Sequence, residues 1–146
     1  MAVIVKNREV KADVDRVWEA LVDWKNETRY WTNVREIRVL KSDEASIERE
    51  ATVGPRGFAQ KTRQTVVLEP KKSINLTFRG ESISGERNIL LIPSANGSTR
   101  IDVAWSLDIN GLPGFVEGIV KNQISKVTQE ALARIAKVSE DGRAQP

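Results

Sequence analysis

In the C-terminal third of the chain, apolar residues recur at gaps of three and four: Val116, Ile119, Val120, Ile124, Val127, Ala131, Leu132, Ile135 and Val138. This spacing predicts a helix from Pro113 to about Val138 with an apolar stripe along it, roughly 39 Å long at ~1.5 Å per residue. Glu117–Lys121 and Glu130–Arg134 are i,i+4 pairs in the favourable order on its polar side. So long a stripe needs a large apolar partner, and the preceding sequence supplies strands. Residues 2–10 (AVIVKNREV) are β-branched and read as a strand. Asp13 is placed to cap VDRVWEALVDW, where Val14, Val17, Trp18, Leu21 and Trp24 have helical spacing. The polar KNETRYW reads as a short second helix or turn, capped by Asn26 or Thr28, so that two helices form a corner.

From Val34 the period changes to two. Strands are expected at 34–41, 46–53, 58–69, 73–79, 86–92 and 99–109. Gly54-Pro55-Arg56-Gly57, Pro70-Lys71-Lys72 and Ser94-Ala95-Asn96-Gly97 punctuate them. The last strand alternates strictly, with Ile101, Val103, Trp105, Leu107 and Ile109 on one side, as in a sheet with one buried and one wet face. The order of strand, two short helices, six strands and long helix predicts an α+β fold. Its curved antiparallel sheet of about seven strands wraps the C-terminal helix. Residues 1–139 form one expected domain, and 140–146 a disordered tail.

At 146 residues and 40% apolar content the chain is globular. A net charge of +3 suits a soluble surface better than a dedicated nucleic-acid binder, although the pI is near 9.3. Lys61, Arg63, Lys71, Lys72 and Lys121 are interleaved with acids, and no RNA-binding motif is visible. No segment reaches the ~20 apolar residues of a membrane span, and MAVIVKNREV lacks the apolar run of a signal peptide. A cytoplasmic location is expected. The chain has no Cys and no His. Thiolate chemistry, disulfides, the usual general base near neutral pH and the commonest metal ligands are thereby excluded. Catalysis would fall to carboxylates, Lys, Arg, Tyr30, hydroxyls or water. No cofactor is expected.

KADVDRVWEALVDW followed by TRYWTNV, with Val17, Trp18, Asp23, Trp31 and Val34, resembles the START and birch-pollen-allergen superfamily, also called SRPBCC. GERNILLIPSANGSTRIDVAWSLDI is similar to that superfamily's penultimate hairpin, with its turn at Gly97-Ser98-Thr99-Arg100. The subgroup it resembles is the polyketide cyclase/dehydrase and lipid-transport group. The resemblance covers nearly the whole chain. It implies the helix-grip fold and an elongated cavity that takes a lipid, sterol, polyketide, hormone or other apolar molecule. It also admits aromatic-ring cyclases and an Hsp90 co-chaperone type. Ring-hydroxylating oxygenases, which need His-ligated iron, do not match a chain without His.

Candidate cavity residues follow from the strand faces. Phe58, Gln60, Thr62 and Gln64 share a mixed face that either lines a partly polar cavity or is simply solvated. Arg49 shares a face with Ile47, Ala51 and Val53. It either snorkels at the sheet edge or, if buried, needs a partner or a ligand anion. Arg87 poses the same question beside Ile89 and Leu91, but the opposite register, with Leu90 and Ile92 inward, is equally compatible with the sequence. Either arginine, once inside, could hold a carboxylate or phenolate. Tyr30 and Trp31 are candidates for the cavity mouth, while Trp18 and Trp105 read as core. Glu48 and Glu50 face away from Ile47 and read as solvated. Gly114 and Gly118 weaken the first half of the long helix by roughly 1 kcal/mol each. That half, with Phe115, Ile119 and Gln123, is expected to line the cavity and move, and the second half to clamp the sheet. Phe78 completes the candidate set.

The expected function is binding or transport of a small hydrophobic or amphipathic molecule, with no nucleic acid partner and no membrane span. The oligomeric state is open. The alternatives are a polyketide cyclase/dehydratase-type enzyme and a protein-interaction module of co-chaperone type. A pocket with two or more desolvated ionisable groups would favour the enzyme, and a sheet packed fully onto the helix the interaction module.

Overall fold

The structure is a computed structural model; it describes residues 2–54 and 59–144, with side chains up to residue 141. The elements are β1 (Ala2–Val10), α1 (Val14–Leu21), α2 (Glu27–Tyr30), β2 (Val34–Ser42), β3 (Ser46–Val53), β4 (Gln60–Glu69), β5 (Ser73–Gly80), β6 (Ile83–Pro93), β7 (Thr99–Ile109) and α3 (Gly114–Ala144). The seven strands form one antiparallel sheet in the order β1-β7-β6-β5-β4-β3-β2. From β2 to β7 the sheet is a meander, and β1 adds beside β7. Together with α3 this is the helix-grip fold. Among the described residues no helix is long and apolar enough to cross a membrane.

Period-two patterning sets which side faces α3. On β7 the side chains of Thr99, Ile101, Val103, Trp105 and Leu107 are buried, while Arg100, Ala104 and Asp108 are exposed. The open question of register on β6 has a definite answer: Arg87, Ile89 and Leu91 point inward, and Leu90 and Ile92 are exposed. That strand also begins at Ile83, three positions before the expected 86, because Ser84 and Gly85 pair with Asp108 and Leu107. Gly85 makes this possible. With φ at +153°, a Cβ there would lie 1.9 Å from the carbonyl oxygen of Ser106.

Asp13 caps α1 through the backbone N–H of Arg16, as expected. The helix stops at Leu21, however, three residues short of Trp24. Asp23 there accepts from the side chain of Asn26 and starts a turn leading into α2. Asn26 is the residue before α2, but its side chain makes no capping bond.

On α3 the buried residues are Ile124, Val127, Thr128, Ala131, Leu132, Ile135, Ala136 and Ser139. Of the expected stripe, Val116 and Val120 are half-buried and two members are exposed. Ile119 is 58% exposed, since its separation of five residues from Ile124 turns it about 140° round the helix. Val138 is exposed, and α3 continues past it to Ala144; Glu140 accepts from the backbone N–H of Lys11.

Candidate functional site

The inward face of the sheet is largely apolar, but β3, β4 and β6 turn polar side chains into it. Alternation on β3 sends Ile47, Arg49 and Ala51 inward, and pairing with β4 sets Arg49 opposite Gln64 and Ala51 opposite Thr62. A chain of hydrogen bonds results. Arg49 Nε donates to Gln64 Oε1 at 2.8 Å, Gln64 Nε2 donates to Thr62 Oγ1 at 3.1 Å, and Thr62 donates to the Ala51 carbonyl at 2.9 Å. The two terminal nitrogens of Arg49 donate to the two carboxylate oxygens of Glu27, each at 2.6 Å. Glu27 opens α2 and is 3% exposed. The Trp24 ring lies 5.9 Å from the Arg49 Cζ. Arg49 is therefore a buried, charge-paired cation rather than a snorkelling edge residue, and its partner is an acid of this chain.

Arg87 is different. It projects from β6 between Leu76 of β5 and Trp105 of β7. Its Cζ sits 4.3 Å from the Trp31 ring centre and 5.6 Å from that of Trp105. The two indoles meet edge to face at 6.3 Å, and Phe78 meets Trp105 in the same way at 6.2 Å. Arg87 is 4% exposed, and its Nε has no hydrogen-bond partner among the described residues. Loss of water pulls its guanidinium down to about 10; Glu27 acts in the opposite direction and Arg49 adds to the lowering. The group still carries its charge near neutrality.

Between the sheet and α3 lies a cavity of about 30 Å³, whose lining includes Arg49, Gln64, Phe78, Arg87, Trp105 and Ile124. Asn33 also contributes, and its Oδ1 has no partner among the described residues. The volume is that of about one water molecule. Among the described residues no three carboxylates gather as metal ligands would.

Of the residues singled out from the sequence, Arg49, Gln64, Phe78 and Arg87 line this cavity. Trp31 stacks on Arg87, and Thr62 is buried behind Gln64. Tyr30 is buried but does not reach the lining. Desolvation, reinforced by Asp23 and opposed by Arg29, raises its phenol, and its carbonyl accepts from Arg134. Gln60 is half-buried and accepts from the backbone N–H of Ser82, bracing the β5–β6 turn instead of the cavity. Phe58 lies outside the described residues. Phe115 (72% exposed) and Ile119 do not line this cavity, nor does the half-buried Gln123; Ile124 is the α3 residue that does. The expected division of α3 into a cavity-lining first half and a clamping second half is corrected accordingly. Helical rotation carries Phe115 and Ile119 to the outside.

Sequence reasoning does not single out Glu27, Asn33 or Trp24, and it places Trp105 in the core alone. One signal is available. Glu27 is an acid flanked by Trp24 and Trp31, three positions before it and four after.

A sheet gripping one long helix, with a polar cluster sunk in its concave face, defines a helix-grip protein of the START-like, SRPBCC class. The sequence matches the model of the polyketide cyclase / dehydrase and lipid transport family over residues 1–140, and the chain belongs to that family. A search of curated proteins finds no match. Among solved structures, a protein from Thermus thermophilus superposes with a TM-score of 0.81 at 13% identity, covering 97% of this chain and 99% of that one. A START superfamily protein from Mycobacterium smegmatis gives 0.72 at 17% identity, covering 95% and 97%. An aromatase/cyclase from a Streptomyces species gives 0.67 at 12% identity, covering 94% and 87%. At these identities the likeness is one of fold.

Proposed function

We propose that the chain binds a small hydrophobic or amphipathic molecule between the sheet and α3 and acts as a carrier or sensor. The observation that carries this reading is Arg87. A sheet that needed only a core would fill that position with an aliphatic side chain, because a buried charge without an ionic partner is costly. The surrounding walls of Leu76, Phe78, Leu107 and Ile124 suit an apolar body, and the arginine suits a polar end. A cavity the size of one water must widen to admit such a molecule. The lining residue Arg49 is held by Glu27 of α2, a single turn without a side-chain cap. Native mass spectrometry of the protein purified from its source should show a retained small molecule, and a thermal-shift panel of lipids and polyketides should contain stabilising members. No retained molecule and no shift would overturn the reading.

A second reading, a polyketide cyclase or dehydratase, is favoured by the three desolvated ionisable side chains Glu27, Arg49 and Arg87. Their geometry limits it. Both oxygens of Glu27 are held by Arg49, and the Arg87 guanidinium keeps its proton near neutral pH. The site can orient a flexible chain, but it offers no free base. Incubation with a linear poly-β-ketone thioester separates the two readings: a changed product distribution supports the enzyme, an unchanged one the carrier.

A further inference from the structure

We propose that the molecule bound here carries a single anionic head group, a carboxylate or a phenolate, and that Arg87 receives it. This deepens the binding reading above and rests on it. The two buried arginines are not equivalent. Arg49 donates through all three of its nitrogens, to Gln64 and to both oxygens of Glu27. Arg87 has an idle Nε and aromatic neighbours.

The charges in the site sum to one positive charge: Glu27 cancels Arg49, and Arg87 is left over. The indoles of Trp31 and Trp105 compensate part of that charge by cation–π attraction. They offer no lone pair in the guanidinium plane, so the Nε–H is still without an acceptor. A planar monoanion supplies both the acceptor and the missing charge. A neutral carbonyl would supply only the acceptor. A dianion such as a phosphate monoester would replace one surplus positive charge with a surplus negative charge against Phe78, Leu107 and Ile124, and the neighbouring Arg49 charge is already matched by Glu27. The site's stoichiometry therefore selects one negative charge with an apolar body attached. Carboxylate and phenolate both meet that description, because each presents oxygen lone pairs in the plane of its own π system.

The test uses matched probes with the full chain at pH near 7. Binding of decanoate and 1-decanol, and of naphthalene-2-carboxylate and naphthalene-2-methanol, is measured by calorimetry. 2-Naphthol is followed by its absorbance. Wild type should bind the carboxylates at least about tenfold more tightly than the alcohols, a difference of about 1.4 kcal/mol or more. Arg87→Leu should abolish or reverse that preference while still binding the alcohols, and Arg87→Lys should retain part of it. A naphtholate spectrum on binding would assign the phenolate source, and neutral 2-naphthol beside tight carboxylate binding the carboxylate source. Equal affinity for acid and alcohol in wild type would overturn the head-group inference and leave the binding reading standing; this arm needs no variant to fold. Failure of every probe to bind wild type would overturn both.

Discussion

Glu27 and Arg49, 22 positions apart in the chain, meet as a closed bidentate pair, with Nη1–Oε1 and Nη2–Oε2 both at 2.6 Å and both side chains almost without solvent contact. The pair fastens the single turn of α2 to β3, the strand next to the β2 edge of the sheet. Removing one member leaves the other as an unpaired buried charge, so Glu27→Ala should destabilise the fold by about 3–5 kcal/mol. Replacing both by leucine removes the orphan along with the pair, and Glu27→Leu/Arg49→Leu should recover more than half of that loss. Urea unfolding of the single and double variants measures it. A single Glu27→Ala variant as stable as wild type would show that the pair does not fasten α2.

The contrast between this pair and the rest of the fold shows where the sequence is legible. Strand order, the hairpins and the inward set on β7 all follow from a two-residue period that neighbouring strands reinforce. Arg49 is also visible as a cation on the face it shares with Ile47 and Ala51, although that pattern fits a snorkelling edge residue as well as a buried one. Its partner is not, because a pairing across 22 residues leaves no local period, and KNETRYW reads as polar when taken alone. The direction of Arg87 is undetermined by sequence because both faces of ERNILLI carry apolar residues, and only pairing with β5 and β7 fixes which side is buried. On α3 the gaps of three and four suggest one stripe through Ile119. Ile119, five positions before Ile124, falls off that stripe, while Val120, four before it, packs against the core and leads into the buried arc of Ile124, Val127 and Ala131.

Gly85 is irreplaceable for a reason that conformational freedom alone does not capture. A Cβ at this position would collide with the backbone of Ser106, which cannot move without parting β6 from β7. Gly85→Ala should therefore cost more than about 2 kcal/mol, the sum of clash and an unfavourable φ. Gly97, at φ +82° in the β6–β7 turn with open space around it, provides the control. Gly97→Ala should cost only about 1 kcal/mol. Thermal melting of the two variants, read against wild type, tests the ordering; equal costs would refute the steric argument.

The β2–β3 turn should give a pH signature. Asp43 Oδ1 accepts from the backbone N–H groups of Ala45 and Ser46, each at 2.9 Å, and these bonds hold its carboxyl below the ordinary 3.8. A carboxyl depressed in the folded state contributes stability that is fully present above the unfolded value. That contribution is lost as pH falls through the folded one. Wild type should thus be more stable than Asp43→Asn near pH 7. The gap should narrow once the pH drops below 3.8 and close when it has fallen below the folded-state value. Denaturant midpoints of both proteins across that range are the measurement, and a gap that does not change with pH would count against the ionised acceptor.

One polar contact ties α3 to the cavity wall. Trp105 Nε1 donates to Thr128 Oγ1 at 3.0 Å, and that hydroxyl donates in turn to the Ile124 carbonyl at 2.7 Å. Trp105 lines the cavity and stacks against both Trp31 and Phe78, so its orientation shapes the space that Arg87 faces. Thr128→Val keeps the volume but leaves a buried indole N–H without an acceptor, at a cost of about 1–3 kcal/mol, whereas Thr128→Ser should keep most of the stability. Trp105→Phe removes the donor, so adding Thr128→Val to it should cost less than Thr128→Val does alone. A double-mutant cycle with a coupling of about 1 kcal/mol is expected. Additive effects would mean that the indole N–H does not hold α3 in register with the sheet.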